Sequence, residues 1–284
     1  MTPDYFIVDA FSHGPFTGNP AAVLLLADSA SDAWMQAVAA EINLSATCFV
    51  WPRAAGDDLP WRLKWFTPSS EIVLCGHGTL ACAHMLWQLG LAQGQTIRFD
   101  AGPQHFSLRC QLRQADSGAA SISLDFPANH AEPGDIDPVL QNLLPAGIAA
   151  VGRSITVPGT LLIQLSEAEA VEHFSPDFAA ILAATRDCLL LTAPGKRDGF
   201  DIVSRFFPLH AGFNEDPVTG SAHCMLAPWW QPRLHRQHLR CYQASSRGGT
   251  VDVSWDGKQT VQVTGRASTL LRGRWQSLIN AITT

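Results

Sequence analysis

Short apolar runs separated by polar, glycine and proline positions set the pattern of this chain. YFIVDAF (5–11), AAVLLL (21–26), TCFVW (47–51), IRF (97–99) and SISLDF (121–126) occupy the first half. LLIQL (161–165), CLLLT (188–192), DIVSRFF (201–207), CYQAS (241–245), TVDVSW (250–255) and TVQVTG (260–265) occupy the second. Their length and their β-branched and aromatic content predict strands. Few helices interrupt them. One is predicted from Asp32 to Ile42, capped by Ser31, with Trp34, Val38 and Ile42 four apart on one face. Two more are predicted after Thr79 and after Thr219. AEPGDIDP (131–138), with two prolines, a glycine and three acids, predicts a linker near the middle.

The chain also resembles itself. WFTPSSEIVLCGHGTLACAHML and RFFPLHAGFNEDPVTGSAHCML superpose without a gap at an offset of 140 residues, pairing Phe66 with Phe206, Pro68 with Pro208, Thr79 with Thr219 and Met85 with Met225. At the same offset Ala21–Leu26 overlies Leu161–Ser166. A shared order of strand, loop, glycine and helix is harder to obtain by coincidence than scattered identities are. The expectation is a duplication giving two similar α+β halves. Their expected bounds are 1–118, completed by a C-terminal strand within 266–284, and 119–265.

Composition narrows the function. With 284 residues and 46% hydrophobic content the chain can bury a large core, and its net charge of −6 without a basic run argues against nucleic acid or an anionic membrane surface as partner. A small molecule is the expected partner. The N-terminal MTPDYFIVDAF lacks the pattern of a signal peptide, and no apolar run reaches the roughly 18 residues of a membrane span, so a soluble cytoplasmic protein is expected. Seven scattered cysteines do not form a disulfide framework.

Candidate chemistry lies where the strand-like segments end. In each half a glycine-bearing loop leads into a helix of small residues, GTLACAHML after Gly76 and GSAHCML after Val218. A helix start offers unpaired N–H groups and about half a positive charge, which suits a carboxylate or a developing oxyanion. If the halves are related by an approximate twofold, both starts face one cleft and form an anion site without metal.

A metal site from Cys75, His77, Cys82 and His84 is the weaker reading. The spacing is not that of a structural zinc site, and Cys82 and His84 point about 160 degrees apart on a helix. A thiol role for Cys75 beside a helix start is more plausible, against the alternative that it merely ends a buried strand. His77 is either a general acid or hydrogen-bond donor, or a turn histidine satisfied by backbone. Asp216 is a cap-type residue or a functional carboxylate, and Pro217 restrains it to extended geometry. Ser221 is a ligand contact or only a small helix residue.

Five segments together carry a family resemblance: DAFSHGPFTGNPAAVLL (9–25), AAEINLSATCFV (39–50), WFTPSSEIVLCGHGTLACAH (65–84), EDPVTGSAHCMLAPWW (215–230) and QASSRGG (243–249). The chain resembles the PhzF, or phenazine biosynthesis-like, family along nearly its whole length. The resemblance implies a diaminopimelate epimerase-like α+β fold of two pseudo-twofold-related halves, each a curved, mostly antiparallel sheet wrapped around a central helix. It also implies a cofactor-independent isomerase, typically homodimeric, that moves a proton on a small carboxylate. By match to the motifs, His77 and Asp216 are acid/base or substrate-orienting groups. Gly76, Gly220 and Ser221 line the anion pocket, bordered by Asn19 and Ser45.

One position departs from the pattern. Where the family reads N-L-S-E-T this chain reads Asn43-Leu44-Ser45-Ala46-Thr47, and the missing glutamate is the group that carries the proton. A methyl group exchanges no proton, so acid/base assistance of roughly 100- to 10,000-fold is lost at Ala46. Three explanations fit: an engineered substitution, a natural member using Glu71, Glu41, Asp216 or Cys75 instead, or a protein that binds without catalysis. LCGHG also resembles the first cysteine loop of proline racemases, which leaves a thiol-type racemase or epimerase as a further alternative. PWWQP (228–232) reads as core, with a dimer contact as the alternative.

Overall fold

The structure, a computed structural model, describes residues 3–52, 59–114, 120–157, 159–197, 199–209 and 214–276. The chain divides into two compact units, residues 1–125 with 264–284 and residues 126–263. The expected boundary at 118/119 and the end of the expected C-terminal strand beyond 276 lie outside the described residues.

In the first unit, β1 (Asp4–Ala10), β2 (Asn19–Leu25), β3 (Ala46–Trp51), β4 (Trp61–Phe66), β5 (Thr96–Ala101), β6 (Phe106–Gln114) and β7 (Ala120–Pro127) lie side by side in chain order. β16 (Ala267–Arg274) adds outside β1. The pairs β2/β3 and β4/β5 are parallel, and β16/β1, β1/β2, β3/β4, β5/β6 and β6/β7 are antiparallel. Each parallel pair requires a crossover, and a helix supplies it. α1 (Asp32–Ile42) joins β2 to β3, and α2 (Gly76–Gln88) joins β4 to β5.

The second unit repeats the scheme. β15 (Thr260–Gly265), β14 (Gly249–Trp255), β13 (His238–Gln243), β12 (Ile202–Phe207), β11 (Cys188–Pro194), β10 (Thr160–Leu165), β9 (Ile148–Ser154) and β8 (Ala131–Pro133) neighbour one another in that order. β10/β11 and β12/β13 are parallel; β8/β9, β9/β10, β11/β12 and β13/β14 are antiparallel. α3 (Pro138–Asn142) precedes β9, α4 (Ala168–Glu172) and α5 (Phe178–Ala184) bridge β10 to β11, and α6 (Gly220–Leu234) bridges β12 to β13. Strands at an offset near 140 therefore correspond in two copies of one mixed-sheet α+β topology, while the central helices start 144 residues apart, at Gly76 and Gly220.

α2 and α6 are the central helices of their units. Ten of the thirteen residues of α2 and ten of the fifteen of α6 are buried. Small residues on most of the surface of α2 let strands approach it closely, while Leu80, Met85 and Leu86 fill the remaining space, each burial stabilising by about 2 kcal/mol. Gly78 shows how tight this contact is, because a Cβ there would stand 2.7 Å from Cys48 Sγ and 3.0 Å from both Cys75 Sγ and Trp65 Cδ1. α1 forms as its sequence predicts. Ser31 accepts a hydrogen bond from the Trp34 amide, Asn43 ends the helix in the left-handed region, and Trp34 and Val38 are buried against Phe49 and Phe66.

One expectation changes. The stretch 131–138 is not a free linker: Ala131–Pro133 pairs with β9, Asp137 caps α3 through the Val139 amide, and Pro138 opens that helix. Proline at a first helical position costs nothing, because its missing N–H has no partner there. PWWQP belongs to the interior of its own unit, where Trp229 Nε1 donates to Gln164 Oε1 at 2.9 Å and Trp230 Nε1 to Thr192 Oγ1 at 3.0 Å. Among the described residues no helix is long and apolar enough to cross a membrane.

Candidate functional site

In the first unit four site residues collect around the start of α2. Asn19, the first residue of β2, is fully buried, and the Ser45 hydroxyl donates to its Oδ1 at 3.1 Å. Ser45 Oγ lies 3.4 Å from His77 Nε2, and His77 Nδ1 lies 3.5 Å from Cys75 Sγ. With the Ser45 hydrogen directed at Asn19, the complementary assignment puts the imidazole proton on Nε2, facing Ser45, and turns the bare Nδ1 toward the thiol. Burial pushes the His77 pKa down to about 4, so the ring is neutral at pH 7.

Cys75 is the N-cap of α2 but makes no side-chain capping bond. The N–H groups of Gly76, His77 and Gly78 lie in the first turn and have no acceptor within the helix. The helix begins at Gly76, earlier than the start expected after Thr79, which brings the His77 amide as well as its ring into this turn. Ala46 opens β3 directly after Ser45, is wholly buried, and pairs with Ala21 of β2.

The four residues weighed as metal ligands separate. Cys75 and His77 face each other; Cys82 is packed against Cys48, and the two thiols raise the Cys48 pKa beyond what burial does. His84 Nε2 instead meets Thr269 Oγ1 at 3.2 Å. Of the candidate substitutes for the missing glutamate, Glu41 is exposed on α1. Glu71 braces the loop before α2, its backbone bridged to Phe66 and its Oε1 3.4 Å from Lys64 Nζ.

In the second unit Asp216, Thr219, Gly220 and Ser221 share the turn entering α6. Thr219 is the N-cap, yet its hydroxyl turns away from the helix and donates to Asp216 Oδ2 at 2.5 Å. Asp216 is 6% exposed, Gly220 is buried, and Ser221 is open to solvent. The preceding residue is anchored firmly: Glu215 receives a bidentate ion pair from Arg205, Nε to Oε1 at 2.7 Å and Nη2 to Oε2 at 2.8 Å. Arg205 Nη1 also donates to the Phe174 carbonyl at 2.5 Å. Cys224, one turn into α6, gives its S–H to the Gly220 carbonyl, and burial pushes its pKa up to about 12. It is a structural thiol rather than a nucleophile.

Sequence reasoning missed Thr219 and Gln243. Gln243 is wholly buried at the end of β13 and contacts the Thr219 amide, the Thr219 hydroxyl and the Asp216 carbonyl. Its signal was present in QASSRGG, which marks the resemblance without declaring a role.

Known proteins resemble the chain along nearly its whole length. The family model described as phenazine biosynthesis-like protein matches residues 8–273. A protein of Halalkalibacterium halodurans named as an uncharacterized isomerase is 37% identical over 276 residues, covering 96% of this chain and 98% of its own. The crystal structure of a PhzF-family protein from Enterococcus faecalis superposes with a TM-score of 0.86 at 35% identity, covering 96% of this chain and 99% of that one. A Pseudomonas aeruginosa protein described as a predicted epimerase shares the fold, with a TM-score of 0.73 at 22% identity over 98% of this chain and all of the other.

Proposed function

Because the chain belongs to the phenazine biosynthesis-like (PhzC/PhzF) family, whose fold it has, we propose that it is an isomerase that moves a proton on a small unsaturated carboxylate. In this reading it works without a cofactor, as a cytoplasmic homodimer. The observation that carries the proposal is the neutral imidazole of His77, held between Ser45 and Cys75 at an uncapped helix start.

A neutral imidazole can accept a proton on its bare nitrogen near pH 7, and its N–H serves as a hydrogen-bond donor to negative charge growing on the substrate. The first-turn amides of α2 suit the substrate carboxylate or the enolate-like charge that grows when a proton leaves the adjacent carbon. Asn19 and Ser45 border that position and fix the imidazole tautomer. In the second unit Asp216 supplies a carboxylate as acid/base or orienting group, and the turn of Gly220 and Ser221 provides amides and an open hydroxyl. Ala46 removes the usual proton carrier, so turnover is slow unless His77 or Asp216 takes over its share.

A second reading, binding without turnover, is favoured by Ala46 alone. Incubation with a panel of small unsaturated hydroxy and amino acids in deuterated water separates the two. Carbon-bound deuterium in a recovered acid, seen by mass spectrometry, supports the isomerase. Saturable binding of an acid that never gains deuterium identifies a binding protein.

A further inference from the structure

The QASSRGG segment is not accounted for by any of the roles above, yet it reaches the Asp216 turn through two side chains. Gln243 Oε1 accepts from the Thr219 amide at 2.9 Å, and Gln243 Nε2 donates to the Asp216 carbonyl at 2.8 Å. Ser245 Oγ donates to the Pro217 carbonyl at 2.7 Å and in turn accepts from the Gly248 amide at 3.1 Å. Gly248 has φ +65, and a Cβ there would stand 2.5 Å from the Tyr242 hydroxyl, so this turn requires glycine.

The orientation of the Gln243 amide is fixed from both ends. A backbone N–H can only donate, so the atom facing Thr219 N is the amide oxygen; a backbone carbonyl can only accept, so the atom facing Asp216 O is the nitrogen. The second hydrogen of that nitrogen points to Thr219 Oγ1 at 3.3 Å. Thr219 Oγ1 therefore accepts a hydrogen bond from Gln243 and directs its own hydrogen at Asp216 Oδ2, 2.5 Å away. All three side chains are buried or nearly so, where such a chain is not exchanged for water.

We propose that Gln243 is a positioning residue for Asp216. It acts through Thr219, setting the direction of the threonine hydroxyl so that Asp216 Oδ2 always faces a donor and the carboxylate is held in one orientation. This rests on Asp216 being the functional carboxylate of the second unit. The Arg205–Glu215 pair, the charged groups beside Asp216 in the chain, fixes the neighbouring backbone and is left intact in every variant below.

The test is the pH titration of the Asp216 carboxyl carbon, followed by NMR in full-length protein labelled with carbon-13 at aspartate. Loss of a hydrogen bond donated to a carboxylate favours the protonated form, so Thr219→Val raises the midpoint by about one pH unit. Gln243→Met shifts it in the same direction. Thr219→Ser, which keeps the hydroxyl, restores the original midpoint, and the double variant Thr219→Val/Gln243→Met moves no further than Thr219→Val. An unshifted midpoint in Thr219→Val, or shifts that add in the double variant, overturns the proposal. Should Gln243→Met fail to fold, Thr219→Val against Thr219→Ser still decides it. Failure of the underlying reading looks different: Asp216→Asn then leaves substrate proton exchange unchanged while the NMR shifts remain as stated.

Discussion

His77 Nε2 stands 3.4 Å from Ser45 Oγ, and Ser45 is the residue next to Ala46. The imidazole and the position of the missing carboxylate are thus tied together through one hydroxyl where β3 and α2 begin.

Burial keeps His77 and His223 neutral, each with its pKa lowered to about 4 from 6.5. His223 Nδ1 donates to the Thr219 carbonyl at 2.7 Å, so its Nε2 faces the interior as a lone pair. Both rings take up a proton more readily in the unfolded chain, so stability rises with pH through this range. It is complete above about pH 6.5 and is lost as pH falls toward 4, by up to about 2 kcal/mol per histidine at pH 5. Urea midpoints measured from pH 7.5 to 4.5 check this, with His223→Gln giving a visibly flatter dependence.

Arg205 and Glu215 are both largely buried, with side-chain exposures of 10% and 19%. Arg205→Ala strands Glu215 and leaves the Phe174 carbonyl without its donor, which costs about 3–5 kcal/mol. Glu215→Gln, which keeps one acceptor for the guanidinium, costs less. Chemical denaturation of the two variants gives the order directly.

Much of this architecture is written in the chain, and the parts that are not have physical reasons. The duplicated strand–loop–helix order was legible because glycine, threonine and small residues recur at a fixed offset, but the exact helix starts, Gly76 and Gly220, were not. The Asp32–Ile42 helix was legible because Ser31 and its apolar spacing agree. β4, beginning Trp61-Arg62-Leu63-Lys64, escaped notice because Arg62 and Lys64 lie flat and pair with Asp100 and Asp32. β6, with Arg109, Gln111 and Arg113 on alternate positions, reads as polar for the same reason, a half-exposed strand. Ser45, His77 and Asn19 were each named from motifs, but their contacts join positions 26 and 32 residues apart in the chain: the first follows from the parallel pairing of β2 with β3, the second from the placement of the α2 start beside β3. Gln243 could not be singled out, because nothing local distinguishes a glutamine that clamps a turn from one that ends a strand.

Gly78→Ala tests the tightness of α2 against β3. The new methyl would stand 2.7 Å from Cys48 Sγ, closer than real Cβ contacts come, and a tight 3.0 Å from Cys75 Sγ and Trp65 Cδ1. The expected cost is about 1–3 kcal/mol in stability, with displacement of Cys75 and the helix start. Thermal unfolding reads the first effect. The second appears as loss of substrate binding beyond what the drop in stability explains.

Thiol reactivity discriminates the racemase alternative. Cys224 is held as a thiol well above neutral pH, and Cys75 is 4% exposed. Iodoacetamide at pH 8 therefore labels the partly exposed Cys188 before either, as peptide mapping of native protein will show. Rapid labelling of Cys75, blocked by a small carboxylic acid, would instead make that thiol the proton carrier.

The central claim is that this site performs carbon–proton exchange and is slowed by the methyl group at position 46. The most direct measurement is the rate of solvent deuterium incorporation into a bound unsaturated carboxylic acid by the native protein and by Ala46→Glu, at pH 7 and with folding verified for both. The account predicts an increase of about 100- to 10,000-fold in the glutamate variant. Equal rates in the two folded proteins, for an acid that both bind, would contradict it.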